Sequence, residues 1–507
     1  MDRYRMLPSY RYYDAEGTSP LTLDKSVGKP LRDYKIYGNS IQDGTPSPDN
    51  PVEVQSCGDK SKNLITAEDG YIVKHTEDRY VYYDAKTQVF TINGNGILHY
   101  ISLPEIIPSG TVVSLFAEII NDDYEIAKGD VNVGGYGVSS SWQNNLSFTS
   151  SSPKKQSKVF TVTEDVDRFC IFVYTTYQCK NVKMRITYAV YDKEFTEYEP
   201  YGYKIPIGVG GKNLFDIEAA KDKNNWSSGV YTYARFSPFV FKKGVHYTIS
   251  MSDNLCSYNK FPLSHENTQV AMVVSSSNSW SGIYIGNSTL YQAQPTKINV
   301  YNGTEDMYLV LFRSGDATLE AVFETIFPDF QIEEGTTATE YEPYEEPIKT
   351  NIYLDEPLYK IGDCDDYIDF KSGKVVRNVN KVSLNGTENW TMDTTKDLTQ
   401  VFRLADIYLN PSPKNYCCNR FIASNPGDTE KVAITIYIFI AINKTRADNV
   451  AKFKEWLSLN PTDVFYSLAT PIEQPIDLPP ILTHKDTNVI SVGTEIPPSN
   501  MQIQYYK

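Results

Sequence analysis

The sequence has few of the residues on which catalytic and metal sites depend. It contains 5 histidines in 507 residues, and none of them lies in an HExxH, HxH or triad-like context. The 7 cysteines are an odd number, scattered without the CxxC or metal-ligand spacing of a zinc site. Neither a Gly-x-Ser-x-Gly elbow nor a P-loop is present. We therefore predict a protein with reduced thiols that is not an enzyme and has no cofactor.

Long apolar runs and an excess of basic residues are also missing. No segment approaches the ~18 consecutive apolar residues of a membrane span, and the opening residues 1–8 lack the apolar core of a signal peptide. With 63 acidic against 48 basic residues, the formal net charge is −15, which would repel nucleic acid and anionic lipid. We expect a soluble product of a cytoplasm, with no nucleic-acid partner and no membrane insertion.

Tyrosine and strand-forming residues are abundant instead. The chain has 39 tyrosines against 8 methionines, and Thr, Val, Ile and Ser occur throughout, which favours strands over helices. At roughly 150 residues per domain, the length suggests three or four domains. These proportions predict a mainly β protein with several independent cores.

Two long segments share landmarks in the same order. The first contains Lys-Asn-Leu at 62–64 and ends with Glu-Tyr-Glu-Pro-Tyr at 197–201; the second contains Lys-Asn-Leu at 212–214 and ends with the same five residues at 340–344. Ordered landmarks predict one fold used twice, with loops of different length. Short strands bounded by turns over roughly 130 to 150 residues suit a jelly-roll-like β-sandwich.

The remaining segments differ from this repeat. We expect an arm in the first ~25 residues that needs a partner to become ordered, and one helix whose apolar residues share a face before Asn460-Pro461. The predicted organisation is an N-terminal arm and small β attachment unit at 1–58, sandwich modules at 59–205 and 206–346, and a C-terminal β-rich domain at 347–507 with a helix at 445–459.

Serine-rich loops place a tryptophan at equivalent positions of both modules. Those residues are Trp142 and Trp280. A flat ring can cover the C–H face of a sugar while nearby polar groups bond its hydroxyls. The glycan-binding candidates are Trp142, Tyr136, Asn144, Trp280 and Tyr284. The alternative is that both tryptophans pack in a core or between modules.

The densest acidic cluster contains Asp363, Asp365 and Asp366. Its carboxylates are hard oxygen ligands that suit calcium, but the segment lacks the Gly and closing Glu of an EF-hand loop. A solvated acidic turn is therefore the preferred interpretation, and no metal site is predicted. A glycosidase needs only two carboxylates ~5 to 9 Å apart, which keeps an enzymatic alternative open.

Several passages resemble minor structural proteins encoded in the tail regions of phages and prophages of Gram-positive bacteria. They bracket nearly the whole chain: IYGNSIQDGTPSPDNPV at 36–52, KNLF at 212–215, QIEEGTTATEYEPY at 331–344, and FYSLATPIE at 465–473 followed by Leu478-Pro479. The first module departs from this pattern, with Leu64-Ile65 in place of Leu-Phe and no Gln-Ile-Glu-Glu-Gly before its Glu-Tyr-Glu-Pro-Tyr. The resemblance therefore implies that, if one of the two modules has lost ligand binding, it is the first module.

The resemblance also implies carbohydrate-binding jelly rolls and a place in the virion. The leading interpretation is a component of a tail tip, baseplate or tail fibre that attaches to the host surface by binding cell-envelope glycan. Its other partners would be tail proteins and further copies of itself, with a homotrimer favoured. The runner-up is a purely structural baseplate or adaptor subunit without sugar recognition, and the third is an envelope polysaccharide depolymerase.

Overall fold

Strands dominate the computed structural model, and the prediction of a mainly β protein is confirmed. The structure describes residues 10–16, 21–23, 33–67, 69–228, 233–251, 270–276, 283–287, 297–301, 303–313, 318–326, 329–424, 430–484 and 487–506. Within these ranges, no helix is long and apolar enough to cross a membrane.

Module 1, residues 61–202, is a sandwich whose described strands form two facing sheets. One sheet has the order Lys155–Thr161, Val112–Ile119, Gln178–Val190, Val89–Gly94, Arg79–Asp84 and Gly70–Thr76, with Glu125–Lys128 also on Gln178–Val190. The other, which we call face sheet 1, has the order Ile97–Ile107, Val166–Val173, Val131–Gly137 and Leu146–Phe148. Alternate residues of both sheets fill the core, as Leu115 is fully buried on one side and Phe169 in the sheet opposite.

Module 2, residues 212–347, repeats this arrangement. Face sheet 2 has the order Trp226–Ser228, Tyr233–Phe241, Met307–Arg313, Val270–Ser275 and Ile283–Asn287, opposite a sheet of Lys297–Val300, Tyr247–Ser250 and Gln331–Glu334. Short helices lie at Ile217–Lys221, Lys223–Asn225, Leu319–Ala321 and Val322–Ile326. The four strands of face sheet 1 have counterparts in the same order in face sheet 2, which adds the edge strand Trp226–Ser228. The described opposite sheet of module 2 has three strands, which correspond to Lys155–Thr161, Val112–Ile119 and Gln178–Val190. The prediction of tandem sandwiches is therefore confirmed at the level of topology.

A third sandwich, which we call the hub, collects strands from both ends and the middle of the chain. Its first sheet has the order Tyr10–Glu16, Asn500–Tyr506, Lys35–Tyr37, Tyr367–Asp369, Lys374–Leu384, Thr462–Pro475 and Tyr416–Cys418. Its second sheet has the order Leu21–Leu23, Asn488–Val492, Tyr203–Gly211 and Ile348–Leu354, with Asp59–Lys60 also on Tyr203–Gly211. The core between them includes Ile36, Ile207, Ile352 and Met501.

Both modules are inserted into the hub. Lys60 pairs with Tyr203 across module 1, and Val209 pairs with Ile348 across module 2. The same holds for residues 385–461, the C-terminal unit, because Leu384 pairs with Thr462. One strand of this range, Tyr416–Cys418, returns to the hub and pairs with Thr462–Pro475. Insertions are tolerated where the two ends of a domain lie close together, and here those ends are hydrogen-bonded neighbours.

The N-terminal segments pair within the chain. Tyr10–Glu16 lies antiparallel to Asn500–Tyr506, and Leu21–Leu23 lies antiparallel to Asn488–Val492. This differs from the predicted arm that needs a partner, because C-terminal strands offer the open edges on which an extended segment can bond. The hub thus joins pieces that the sequence pattern placed in separate units.

The C-terminal unit packs a helix on a sheet. The sheet has the order Trp390–Thr395, Thr399–Leu404, Ile438–Asn443, Lys431–Ile434 and Ile422–Ala423. The helix is Val450–Leu459, and it begins later than predicted because Asn449 caps it by accepting a bond from the Lys452 amide. Phe453 stacks on Phe402 with ring centroids 4.1 Å apart. Small hairpins complete the described strands: Ser40–Ile41 with Gln55–Ser56, and Lys360–Ile361 with Cys364–Asp365.

The Lys-Asn-Leu motif closes each module. The Asn63 Oδ1 accepts bonds from the Ile65 and Tyr188 amides, and its Nδ2 donates to the Ile186 carbonyl. Asn213 makes the equivalent bonds in module 2, to Phe215, Phe330, Ile332 and Glu342. One buried amide therefore ties the first residues of the module to its last strand.

The repeated Glu-Tyr-Glu-Pro-Tyr motif bonds back to the start of its module. A Glu199 carboxylate oxygen accepts bonds from the Lys62 amide (2.7 Å) and the Lys204 ammonium (3.3 Å). In module 2, Glu342 pairs with the Lys212 ammonium at 3.1 Å. The motif and the Lys-Asn-Leu motif together form the joint at which each module leaves and rejoins the hub.

The Pro-rich loop 43–52 fastens the C-terminal unit to the hub. The Val52 amide donates to the Asn419 carbonyl at 2.7 Å, and the Arg420 guanidinium donates to the Pro48 carbonyl at 2.6 Å. Arg446 contacts both carboxylate oxygens of Asp49. Proline restricts this loop in the unfolded chain, so less entropy is lost when the loop docks.

Candidate glycan-binding face

Face sheet 1 turns one side toward the core and the other outward. Along Val166–Val173, Phe169 and Ile171 lie in the core, so Arg168 and Phe172 project from the opposite side, because strand side chains alternate. Across the sheet, Tyr136 pairs with Arg168 and therefore shares its outward side. The residues on that side form a surface of module 1.

A continuous row of aromatic rings occupies this outward side. The row contains Tyr100, Tyr136, Trp142, Phe172 and Tyr174, with successive centroids 4.9, 5.6, 6.4 and 4.2 Å apart. Each ring is at least partly exposed, and Tyr174 is 49% exposed. We call these five residues the aromatic row. Partly exposed rings on a rigid sheet form a platform on which a sugar ring can stack.

The serine-rich loop that carries Trp142 is held in place by Glu164. The Ser139 and Ser141 hydroxyls and the Gln143 amide all donate to its carboxylate. These bonds lower the pKa of Glu164, and the bond from Ser139 has the largest effect. The Gln143 Oε1 in turn accepts a bond from the Thr163 amide at 2.8 Å. Trp142 is therefore positioned before any ligand arrives, which reduces the entropy lost on binding.

Glycine lets this loop lie directly on the sheet. A Cβ at Gly134 would collide with the Asn144 carbonyl oxygen, so no larger residue fits there without moving the loop. Asn144 itself is 5% exposed, and its Oδ1 accepts a bond from the Gly135 amide at 3.1 Å. It lies beneath the loop and anchors it, and it is not on the outward surface as the sequence suggested.

Arg168 provides a cation beside the row. Its guanidinium carbon lies 5.0 Å from the Tyr100 ring centroid and 5.5 Å from that of Tyr136, within the range of cation–π attraction. Its Nε donates to Asp167 at 2.9 Å, so the local charge is balanced. A hydrogen bond with Tyr136 raises the pKa of Tyr100 to about 12. This phenol therefore keeps its proton, and its hydrogen-bonding capacity, at neutral pH.

The predicted candidates have different outcomes. Trp142 and Tyr136 lie together in the aromatic row. Trp280 is outside the described residues, and Tyr284 lies in the strand Ile283–Asn287, but its side chain is outside the described part. Sequence reasoning missed Tyr100, Phe172, Tyr174 and Arg168, although period-2 alternation with the core residues Phe169, Ile171 and Val173 places the last three on the side away from the core.

Module 2 has different residues at the equivalent positions. The register places Ser275 where module 1 has Tyr136, since Ser275 pairs with Tyr308 as Tyr136 pairs with Arg168. By the same comparison Arg235 takes the place of Tyr100, and its guanidinium lies over the Tyr308 ring. The arginine–tyrosine pair is thus present in both modules, with the two residue types exchanged.

The acidic cluster at 363–366 does not form a single solvated turn. Asp366 is fully buried and accepts bonds from Arg377 (3.0 Å) and from the Asn378 and Val379 amides (2.8 and 2.9 Å). The interpretation as a solvated turn is therefore wrong for Asp366. Asp365 pairs with Lys360, and Asp363 accepts a bond from Asn415. Among the residues that the structure describes, no group of three His, Cys, Asp or Glu side chains is placed to hold a metal ion.

Comparisons of the chain with protein-family models, with curated proteins and with solved structures found no match. A functional argument for this chain therefore depends on its own geometry. The five rings of the aromatic row lie outside the module 1 core, so they are not part of its interior packing.

Proposed function

We propose that this chain is a component of a phage tail tip, baseplate or tail fibre that binds a neutral glycan of the host envelope through module 1. The observation that carries the proposal is the aromatic row, five partly exposed rings on the outward side of a rigid sheet. Glycan sites combine such rings with a few fixed polar groups in an open cleft.

Polar groups of the required kind border the row. Asn145 is exposed and its Nδ2 donates to the Asn132 Oδ1 at 2.9 Å, leaving further amide capacity for a ligand. Charged neighbours are balanced or acidic, since Asp167 neutralises Arg168 and the Glu164 carboxylate lies against the loop that carries Trp142. A neutral sugar avoids the repulsion that a phosphate-rich polymer would meet here.

The passages that resemble tail proteins support the virion part of the proposal. Loop 43–52 fastens the C-terminal unit, and the motifs at 212–215 and 340–344 form the joint of module 2. Residues shared through these passages thus serve the architecture of hub and insertions. Ligand faces lie elsewhere, so they are free to differ between proteins that attach to different hosts.

A glycan array probed with the full chain tests the proposal. Trp142→Ala and Tyr136→Ala are expected to lose binding while their circular dichroism and thermal unfolding stay close to those of the parent. Tyr301→Ala is the matched control, because Tyr301 is a half-exposed tyrosine of module 2 that stacks on His246 away from the row. Binding unchanged in both test variants, or no glycan bound by the parent chain, would sink the proposal.

The structural-adaptor alternative predicts a different outcome of the same experiment. If the row is covered by another tail protein, the Trp142→Ala chain should fail to enter assembled particles, and the parent chain should bind no glycan. The depolymerase alternative predicts release of reducing ends from host envelope polysaccharide. The proposed binding function predicts none.

A further inference from the structure

The C-terminal unit carries a second group of exposed rings that the proposed function does not use. Ile407 and Leu409 pack against the core of the unit, so Tyr408 between them faces outward and is 61% exposed. The Leu409 amide donates to the Ile436 carbonyl at 2.8 Å. This bond holds Tyr408 beside the turn that carries Tyr437.

The rings of this group contact one another and an arginine, as the rings of the aromatic row do. Tyr408 and Tyr437 have centroids 5.5 Å apart, and Tyr437 and Phe439 have centroids 6.3 Å apart. The Arg403 guanidinium carbon lies 4.7 Å from the Tyr437 centroid. Arg403 pairs with Phe439 across the sheet, so both project from the same side. We call Arg403, Tyr408, Tyr437 and Phe439 the C-terminal cluster.

Arg403 differs from Arg168, Arg377 and Arg446 in what it bonds. Its Nε donates to the Thr391 hydroxyl at 3.4 Å, and no carboxylate among the described residues forms an ion pair with it. Arg168, Arg377 and Arg446 each pair with an aspartate. The four N–H groups on its two Nη atoms therefore remain for a ligand that accepts hydrogen bonds.

We propose that the C-terminal cluster is a second saccharide-binding face, with Tyr408 and Tyr437 stacking on a neutral sugar ring and Arg403 donating to its hydroxyls. A neutral ligand is favoured because exposed Asp393 and Asp406 lie on the same unit of an acidic chain. The inference rests on the proposed function for the class of ligand only, since its residues belong to a different inserted unit.

Two faces on one chain have a consequence for binding to a repeating polymer. Once one face has bound, the second binds at a high effective concentration, which raises the overall affinity by about 10² to 10⁴ over one face alone. A short oligosaccharide does not bridge both faces and reports each separately. An oligosaccharide therefore reports the number of faces as the number of molecules bound per chain. A polymer reports it as a gain in overall affinity.

Calorimetry on the full chain tests this, with the neutral oligosaccharide of glucose, galactose, rhamnose or N-acetylglucosamine that scores best on an array. Two molecules per chain are expected for the parent, one for Tyr437→Ala and one for Trp142→Ala. Tyr437→Phe keeps the ring and should retain two, and Tyr301→Ala is the control for loss of an exposed tyrosine. Retention on a surface coated with the polymer should weaken at least about tenfold for either single variant.

The outcomes separate this inference from the proposed function. One molecule per parent chain, lost with Trp142→Ala and unaffected by Tyr437→Ala, overturns the second face and leaves the proposed one standing. Binding that survives Trp142→Ala and disappears with Tyr437→Ala supports the C-terminal cluster and contradicts module 1. Loss of affinity with rising salt would overturn the neutral ligand, and no binding of any oligosaccharide would overturn both faces.

Discussion

Modules 1 and 2 share a frame and differ on its outward side. The strands that the two modules have in common follow the same order, and Asn63 and Asn213 make matching bonds to the last strand. On face sheet 2, however, Ser275 stands where face sheet 1 has Tyr136. Core and joint residues are constrained by packing and hydrogen bonding, whereas the outward positions of a sheet change at little structural cost.

This comparison changes the expectation that the first module is the one without ligand binding. That expectation came from the absence of Gln-Ile-Glu-Glu-Gly before the terminal motif of module 1 and from Leu64-Ile65 in place of Leu-Phe. The second departure can be placed in the structure. Ile65 is 2% exposed and lies in the core, as Phe215 does in module 2. The difference is therefore one of core packing, and it has no bearing on the side that carries the aromatic row.

The largest expected effect concerns the hub that both modules share. Asp366→Ala removes one partner of a buried ion pair and leaves the Arg377 charge without its carboxylate. Such a change costs about 3–5 kcal/mol of unfolding free energy. Thermal unfolding of the full chain should shift for both modules together. Exposed Asp363→Ala, in the same turn, should have a far smaller effect, and equal effects of the two changes would contradict a buried ion pair between Asp366 and Arg377.

A smaller and selective effect is expected at the joints. Asn63→Ala leaves the Tyr188 amide and the Ile186 carbonyl inside module 1 without this partner, at a cost of about 1–3 kcal/mol for each buried group that stays unsatisfied. Amide hydrogen exchange should rise in module 1 and not in module 2, and Asn213→Ala should give the reverse. Exposed Asn145→Ala is the control. Exchange that rises equally in both modules would contradict two independently closed sandwiches.

Changing the outward side should affect binding without affecting the frame. Tyr136→Ser gives face sheet 1 the residue that module 2 has at this position, and it removes the ring between Tyr100 and Trp142. An aromatic pair contributes about 0.5–1.5 kcal/mol beyond its buried area, so glycan affinity should fall by a factor of roughly 2 to 12, as calorimetry would measure. Unfolding should be unchanged. A variant that unfolds readily would instead show that the ring supports the fold.

Sequence patterns predicted what depends on local order and missed what depends on distant pairing. The mainly β composition, the repeated module and the helix that ends before Pro461 are all readable from spacing. The insertions are not, because the pairing of Lys60 with Tyr203 joins strands whose local patterns carry no information about register. Likewise, the sequence around Asn144 does not show that the Asn144 side-chain oxygen accepts a hydrogen bond from the Gly135 amide beneath the loop.

The smallest expected effect concerns the pH range in which the loop that carries Trp142 stays ordered. Bonds from Ser139, Ser141 and Gln143 lower the pKa of Glu164 below its ordinary value of 4.5 in the folded chain. The bonds to the carboxylate therefore stabilise the loop at pH above that value, and this contribution is lost as pH falls through the lowered folded pKa. Glycan binding should be constant near neutral pH and should weaken in acid below about 4.5.

Glu164→Gln should remove the acid step and weaken binding at every pH, since it keeps only one oxygen acceptor for the donors that hold Trp142 in place. If the Glu164→Gln chain and the parent bind glycan equally from neutral pH into acid, the loop that carries Trp142 needs no such anchor. The aromatic row would then be held in place by face sheet 1 alone.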